Sequence, residues 1–149
     1  MRIAITLLLV HLVSCAPRAA TNDPVSPLLR VSVVIGQVLA GINESVLSVV
    51  ELNQNKILTR EESEPIMDGL KKATLGVLAM NNVVRKLNTL SESDKRDIVA
   101  AGQPAFDAID ELISKHVINL GSTAQQKLKI VLVAVQSSLS LLRSAIAVQ

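Results

Sequence analysis

Apolar residues recur at three- and four-residue intervals along four stretches of this 149-residue chain. That is the period of a helix burying one face, and no other pattern constrains the fold as strongly. In the first stretch the row runs Leu28, Val31, Ile35, Val38, Ile42, Val49 and Leu52, broken only by Ser45. The second reads Ile66, Leu70, Ala73, Val77, Met80, Val84 and Leu87. The later half of the third reads Ala105, Ile109 and Leu112, with His116 as a marginal addition, and the fourth Leu128, Val131, Val135, Leu139, Leu142 and Ile146. No strand-type alternation bounded by turn residues competes with these rows. Hydrophobic residues make up 49% of the chain and aromatic ones 1%, with Phe106 alone, so the core must be aliphatic.

Punctuation sets the helix limits. Ser26 or Asp23 can cap the first helix, since either is followed by a proline suited to the first helical position. The polar stretch Asn53 to Lys56 ends it. Thr59 with Glu62 forms a capping box, and Glu61, Glu62 and Glu64 put negative charge at the positive end of the helix dipole. Pro65 sits late for a first turn and predicts a distorted or delayed start. Ser91 with Asp94 opens the third helix, which Gly102-Gln103-Pro104 should kink or split. Gly121 is a C-cap candidate, and Ser122 with Gln125 makes another capping box. The expectation is an all-α chain with helices at about 27–53, 60–89, 92–119 and 123–148, the third kinked near Gly102 to Pro104. Short loops then stack the helices as an antiparallel up-down-up-down four-helix bundle occupying 27–149. No sequence period links the helices, which argues against a solenoid.

The beginning of the chain has a different character. Arg2 precedes an apolar run from Ile3 to Val13, the layout of a secretory signal and too short to cross a bilayer. Cys15, the sole cysteine, follows this run directly. Leu12-Val13-Ser14-Cys15 resembles the lipobox of bacterial or phage-encoded lipoproteins. The resemblance covers the leader alone and carries no activity over to the domain. It implies removal of residues 1–14 and attachment to a membrane through a diacylglyceryl thioether and an N-acyl chain on Cys15. Ala16 in place of an aspartate favours the outer membrane in a Gram-negative host. The alternative is an ordinary signal peptide and a soluble secreted protein, although Pro17 and Arg18 make the nearby cleavage sites poor. Residues 15–26 read as a lipidated terminus and flexible tether with a reach on the order of 20 Å.

Chemistry is sparse beyond the leader. His116 is the only other histidine besides His11, and one histidine without cysteine partners does not make a zinc site. Asp107, Asp110 and Glu111 precede it on one helix and read as a solvated acidic face, with His116 capping the lower end of the core; the alternative is a carboxylate–histidine metal site. Ser137, Ser138, Ser140 and Ser144 lack an activating base in any recognisable motif, and the six glycines form no phosphate loop. Asn43-Glu44-Ser45 matches a glycosylation sequon inside a predicted helix. No cofactor motif is present. Without Trp or Tyr there is no stacking platform, and a formal charge of +2 steers anionic partners weakly, so nucleic-acid binding is not expected.

Two sets of residues remain as an interaction face. Gly36, Ala40 and Gly76 are small residues that let helices approach closely, inside one bundle or between two copies. Lys71, Lys72, Arg85 and Lys86 recur two heptads apart and can meet headgroups or an anionic polymer. Val31 to Val50 and Ile130 to Val148 are apolar enough to weigh as membrane spans, but their polar residues fall largely opposite the apolar row, as a soluble bundle requires. The functional expectation is a non-catalytic, membrane-anchored module of the cell envelope. It binds a protein or other envelope component, a second copy of the chain among the candidates. The alternative is a carrier holding an apolar ligand between its helices.

Overall fold

A computed structural model of the chain describes residues 26–147. Cys15, the leader and the tether up to residue 25 lie outside the described residues, as does Val148 at the end of the expected fourth helix. The described chain is a helical bundle without strands: α1 (Pro27–Gln54), α2 (Arg60–Val84), α3 (Glu92–Glu111) and α4 (Ser122–Ala147). A π turn, Leu112–His116, and a 3₁₀ turn, Val117–Asn119, separate α3 from α4. Helix α2 lies broadly against α3 and α1 against α4, with further contacts between α1 and α2 and between α3 and α4.

The inner row of α1 is Val31, Ile35, Val38, Ile42, Ser45, Val49 and Leu52, all buried. Ser45 holds its place in this apolar row because its hydroxyl donates to the Gly41 carbonyl at 2.9 Å, so no polar atom is left unpaired. The helix ends in a Schellman arrangement. The Ile57 amide donates to the Leu52 carbonyl at 2.9 Å and the Lys56 amide to that of Asn53 at 3.0 Å. Lys56 occupies the left-handed position with φ of 57°, where glycine is the unstrained residue. Thr59 and Ser91 cap α2 and α3 as expected, each in a reciprocal capping box with Glu62 and Asp94. The Thr59 backbone amide and hydroxyl hold the Glu62 carboxyl below its ordinary range. The Ser91 hydroxyl and amide do the same for Asp94.

Glycine allows α2 and α3 to touch. A Cβ on Gly76 would sit 2.6 Å from the Ala105 backbone nitrogen, and one on Gly69 would sit 2.6 Å from Leu112 Cδ2. A Cβ on Gly102 would overlap the Met80 sulfur. These pairs run in opposite order along the two helices: 69 with 112, 76 with 105, 80 with 102. Between α1 and α4, a Cβ on Gly41 would approach Val135 at 2.8 Å, and Glu51 accepts from Lys127 at 3.0 Å. Phe106 is buried beneath Arg143, whose guanidinium carbon stands 3.8 Å from the ring centre.

Four expectations need correction. Helix α3 is not split at Gly102 to Pro104 but runs unbroken to Glu111, with Gly102 accommodating Met80. It departs from α geometry later, at Leu112–His116, where the Val117 amide reaches back five residues to the Leu112 carbonyl. That turn brings Leu112 and Val117 both into the core at a five-residue spacing, and leaves His116 half-buried instead of in the core row. Helix α2 stops at Val84, five residues early, as the Lys86 and Leu87 amides take three-residue bonds to Val83 and Val84. In α4 the buried row is Leu128, Leu132, Val135, Leu139, Leu142 and Ile146, so Leu132 replaces Val131. The run Ile130 to Val135 is apolar throughout and gives periodicity no phase to read. The side chain of Ser122, expected to cap α4, lies outside the described ones.

Three substitutions test this description by chemical denaturation of the full chain. Gly76→Ala lowers stability by about 1–3 kcal/mol, because the added carbon meets backbone on α3. Lys56→Gly raises it by about 1 kcal/mol through relief of the left-handed position, and Thr59→Ala lowers it by about 1 kcal/mol. Because folding depresses both capping carboxyls, their contribution is present above the ordinary carboxylate range and lost as pH falls through it. Glu62→Gln and Asp94→Asn should therefore flatten the acid limb of a stability profile.

Candidate interaction surface

A second row on α1 faces away from the core. Leu29, Val33, Gly36, Ala40, Asn43, Leu47 and Val50 are all exposed and follow one another at strict four- and three-residue steps. Leu29 is 54% exposed, Val33 52%, Leu47 60% and Val50 40%. Val34, Leu39 and Val46 fill the flanks, partly buried against the core. The side of α1 opposite its inner row is thus largely apolar, against the expectation that its polar residues lie there. Beside the outer row runs a polar one at seven-residue steps: Arg30, Gln37, Glu44 and Glu51.

The surface continues onto α4. Ala40 and Gly41 share an open cleft of about 350 Å³ with Ile130, Val131, Ala134 and Val135. Ile130 is 71% exposed and Leu141 61%. By length and composition, α1 and residues 123–146 of α4 are also the two described helices apolar enough to cross a membrane, yet only 28% of each apolar window is buried. Their inner rows pack into the common core, so the apolar excess lies on the outside.

The expected interaction residues separate accordingly. Gly36 and Ala40 lie in the outer row, and a Cβ on Gly36 would meet nothing within 4 Å. Gly76 is buried against Ala105 and belongs to internal packing, not to the surface. Lys71, Lys72, Arg85 and Lys86 are exposed; Arg85 caps the end of α2 with its amide on the Asn81 carbonyl, and Lys86 lies in the turn beyond it. Lys72 borders a cleft of about 170 Å³ with Asp68, Glu111 and His116, a neutralised neighbourhood instead of a cationic stripe. Leu29, Val33, Leu47 and Val50 were not singled out by periodicity, because the inner row of the same helix dominates it.

The acidic residues near His116 do not converge. Asp107 accepts from Gln103 at 2.7 Å, Asp110 from Gln136 on α4 at 2.8 Å, and Glu111 from Lys115 at 3.1 Å. The Lys115 ammonium, by hydrogen bond and charge, holds the Glu111 carboxyl below its ordinary range. Among the described residues no three His, Cys, Asp or Glu side chains gather as metal ligands. A second open cleft of about 350 Å³ lies between α3 and α4, lined by Lys95, Arg96, Val99, Arg143 and Ile146. Of its three cations, buried Lys95 is paired with Glu92 and Arg143 stacks on Phe106. Burial of Lys95 was not legible in the charged run Ser91 to Asp97.

Gly36 supplies the local test. With no neighbour to justify its missing side chain, Gly36→Ala should raise the intrinsic stability of the fold by about 0.5–1 kcal/mol, measured by denaturation at low protein concentration. None of the protein-family models, curated proteins or solved structures compared with the chain matches it.

Proposed function

We propose that this chain is a non-catalytic helical lipoprotein, held at the cell envelope through lipid on Cys15, that acts by binding a protein partner through the outer face of α1. The observation that carries the reading is the exposed row Leu29, Val33, Leu47 and Val50 on a helix whose opposite face already fills the core. Leaving such a row in water costs roughly 25 cal/mol for each Å² of apolar surface, and contiguous exposed apolar surface of this kind marks an interface. The helices are arranged up-down-up-down. The opposed order of contacts between α2 and α3, together with Gly41 near Val135 and Glu51 near Lys127, supports that topology. In such a bundle the α1 entry, the α2–α3 loop and the end of α4 share one end, from which the tether leads to the bilayer.

A carrier function is the weaker reading, since both larger clefts are open grooves between helices rather than enclosed cavities. The anchor is tested by intact mass and fractionation of the wild-type chain against Cys15→Ser. Acyl mass on the wild type, and its loss together with release from the membrane on substitution, is the expected result. An unmodified wild-type chain in the soluble fraction contradicts it. The binding face is tested by native electrophoresis of gently extracted envelopes. Wild type should migrate in a species larger than one chain, and Val33→Ser/Leu47→Ser as a single chain with unchanged helix content. A carrier would migrate as one chain in both cases.

A further inference from the structure

We infer that the outer row of α1 is covered by a second copy of this chain, docked antiparallel along α1. This inference rests on the interaction reading above, whose partner it names, and does not depend on lipid at Cys15.

Three observations lead to it. First, the outer row repeats as a heptad for three turns of the pattern, large at both ends and small in the middle: Leu29 and Val33, then Gly36 and Ala40, then Asn43, then Leu47 and Val50. Unbroken four- and three-residue steps are what a helix presents to another helix, since they keep one seam against its partner. Gly36 and Ala40 at the middle let two such helices approach closely. Gly36 has no other neighbour to serve, whereas Gly41, Gly69, Gly76 and Gly102 each accommodate a side chain or backbone within the chain.

Second, the polar row beside the seam changes sign along its length: Arg30, Gln37, Glu44, Glu51. In an antiparallel pair, residues of this row meet the same row of the second copy. Arg30 of each copy then comes level with the Glu44 and Glu51 end of the other, giving two symmetry-related attractions. Arg30 and Glu44 make no ion pair among the described residues. Glu51 uses one oxygen for Lys127 and keeps the other. In a parallel pair the same row would face Ser32, Leu39 and Val46 instead, and its charges would gain nothing. A two-fold arrangement of this kind is self-complementary and closes as a dimer.

Third, the alternative of a lipid surface fits poorly. A helix lying on a bilayer flanks its apolar face with cations. The outer face of α1 carries one cation, Arg30, against Glu44 and Glu51. The exposed Ile130 of α4 sits beside Ala40 across the shared cleft, adding apolar area at the centre of the same face.

The test uses the full-length chain with Cys15→Ser, purified in a non-ionic detergent and examined by sedimentation. A dimer is expected. Leu47→Arg should raise its dissociation constant at least about tenfold, whereas Leu75→Arg on α2, at a leucine that is equally exposed at 59%, should leave it unchanged. Arg30→Glu should weaken the dimer, and Arg30→Glu/Glu44→Arg/Glu51→Arg should restore it. For orientation, Val33→Cys and Leu47→Cys chains are treated with a short bis-maleimide. Neither should cross-link with itself, and the two co-expressed should link to each other. A monomer at micromolar concentration overturns the proposal even if another envelope protein covers the face. Self-linking of Val33→Cys or Leu47→Cys overturns the antiparallel pairing, and loss of the dimer with Leu75→Arg but not with Leu47→Arg overturns the surface. Circular dichroism of each variant separates these outcomes from misfolding, and both leucines are solvent-exposed positions where folding should survive.

Discussion

The rest of the structure depends on the aliphatic character of α1, which has more apolar surface than one bundle can cover. Its inner row, Val31 to Leu52, is the wall against which α2 and α4 are assembled. Burial of aliphatic side chains from all four helices contributes the largest favourable term, since with one aromatic residue the core has no bulky rings to rely on. The outer row of the same helix is the unmet half of that chemistry. An 18-residue window of α1 reaches a mean hydropathy of 1.7 while only 28% of it is buried. Fold and proposed function are thus two consequences of one composition.

Packing on the opposite side of the molecule is of a different kind. Helices α2 and α3 meet through glycines, with Gly76 against the Ala105 backbone and Gly102 against Met80. Close approach there gains dispersion contacts that tolerate no added carbon. Their outward faces are well supplied with charge, in keeping with ordinary solvent exposure. The division explains why a search for chemistry finds paired cations such as Lys95 with Glu92 and Lys115 with Glu111, but no convergent reactive groups among the described residues.

Much of the fold is legible in the sequence. The α1 row is buried as expected from Val31 to Leu52, with Ser45 buried in line and Leu28 only partly covered, because its three- and four-residue steps run unbroken over about seven turns. Capping at Thr59 and Ser91 was equally plain, being a local matter of one hydroxyl and one carboxylate. The misreadings have physical causes. Spacing favours Val131 over the buried Leu132 because a continuous apolar run carries no phase. The π turn at Leu112–His116 serves a five-residue spacing that a helical template does not contain. Gly102 is not a break in α3 but the place where a missing side chain makes room for Met80. Of the candidate face, Gly36 and Ala40 were legible as small residues, yet Gly76 has the same signature and is internal. Spacing alone does not say which side of a helix faces a neighbour. The decisive large residues, Leu29, Val33, Leu47 and Val50, stood in the shadow of the stronger inner row.

The central claim is that the outer row of α1 is covered when the protein is in its cell. Carbene footprinting of the full chain in native envelopes measures this directly, residue by residue. The account predicts that Leu29, Val33, Leu47 and Val50 are protected while Leu75 and Leu78 of α2, exposed to a similar degree in the single chain, are labelled. Equal labelling of both sets would contradict it.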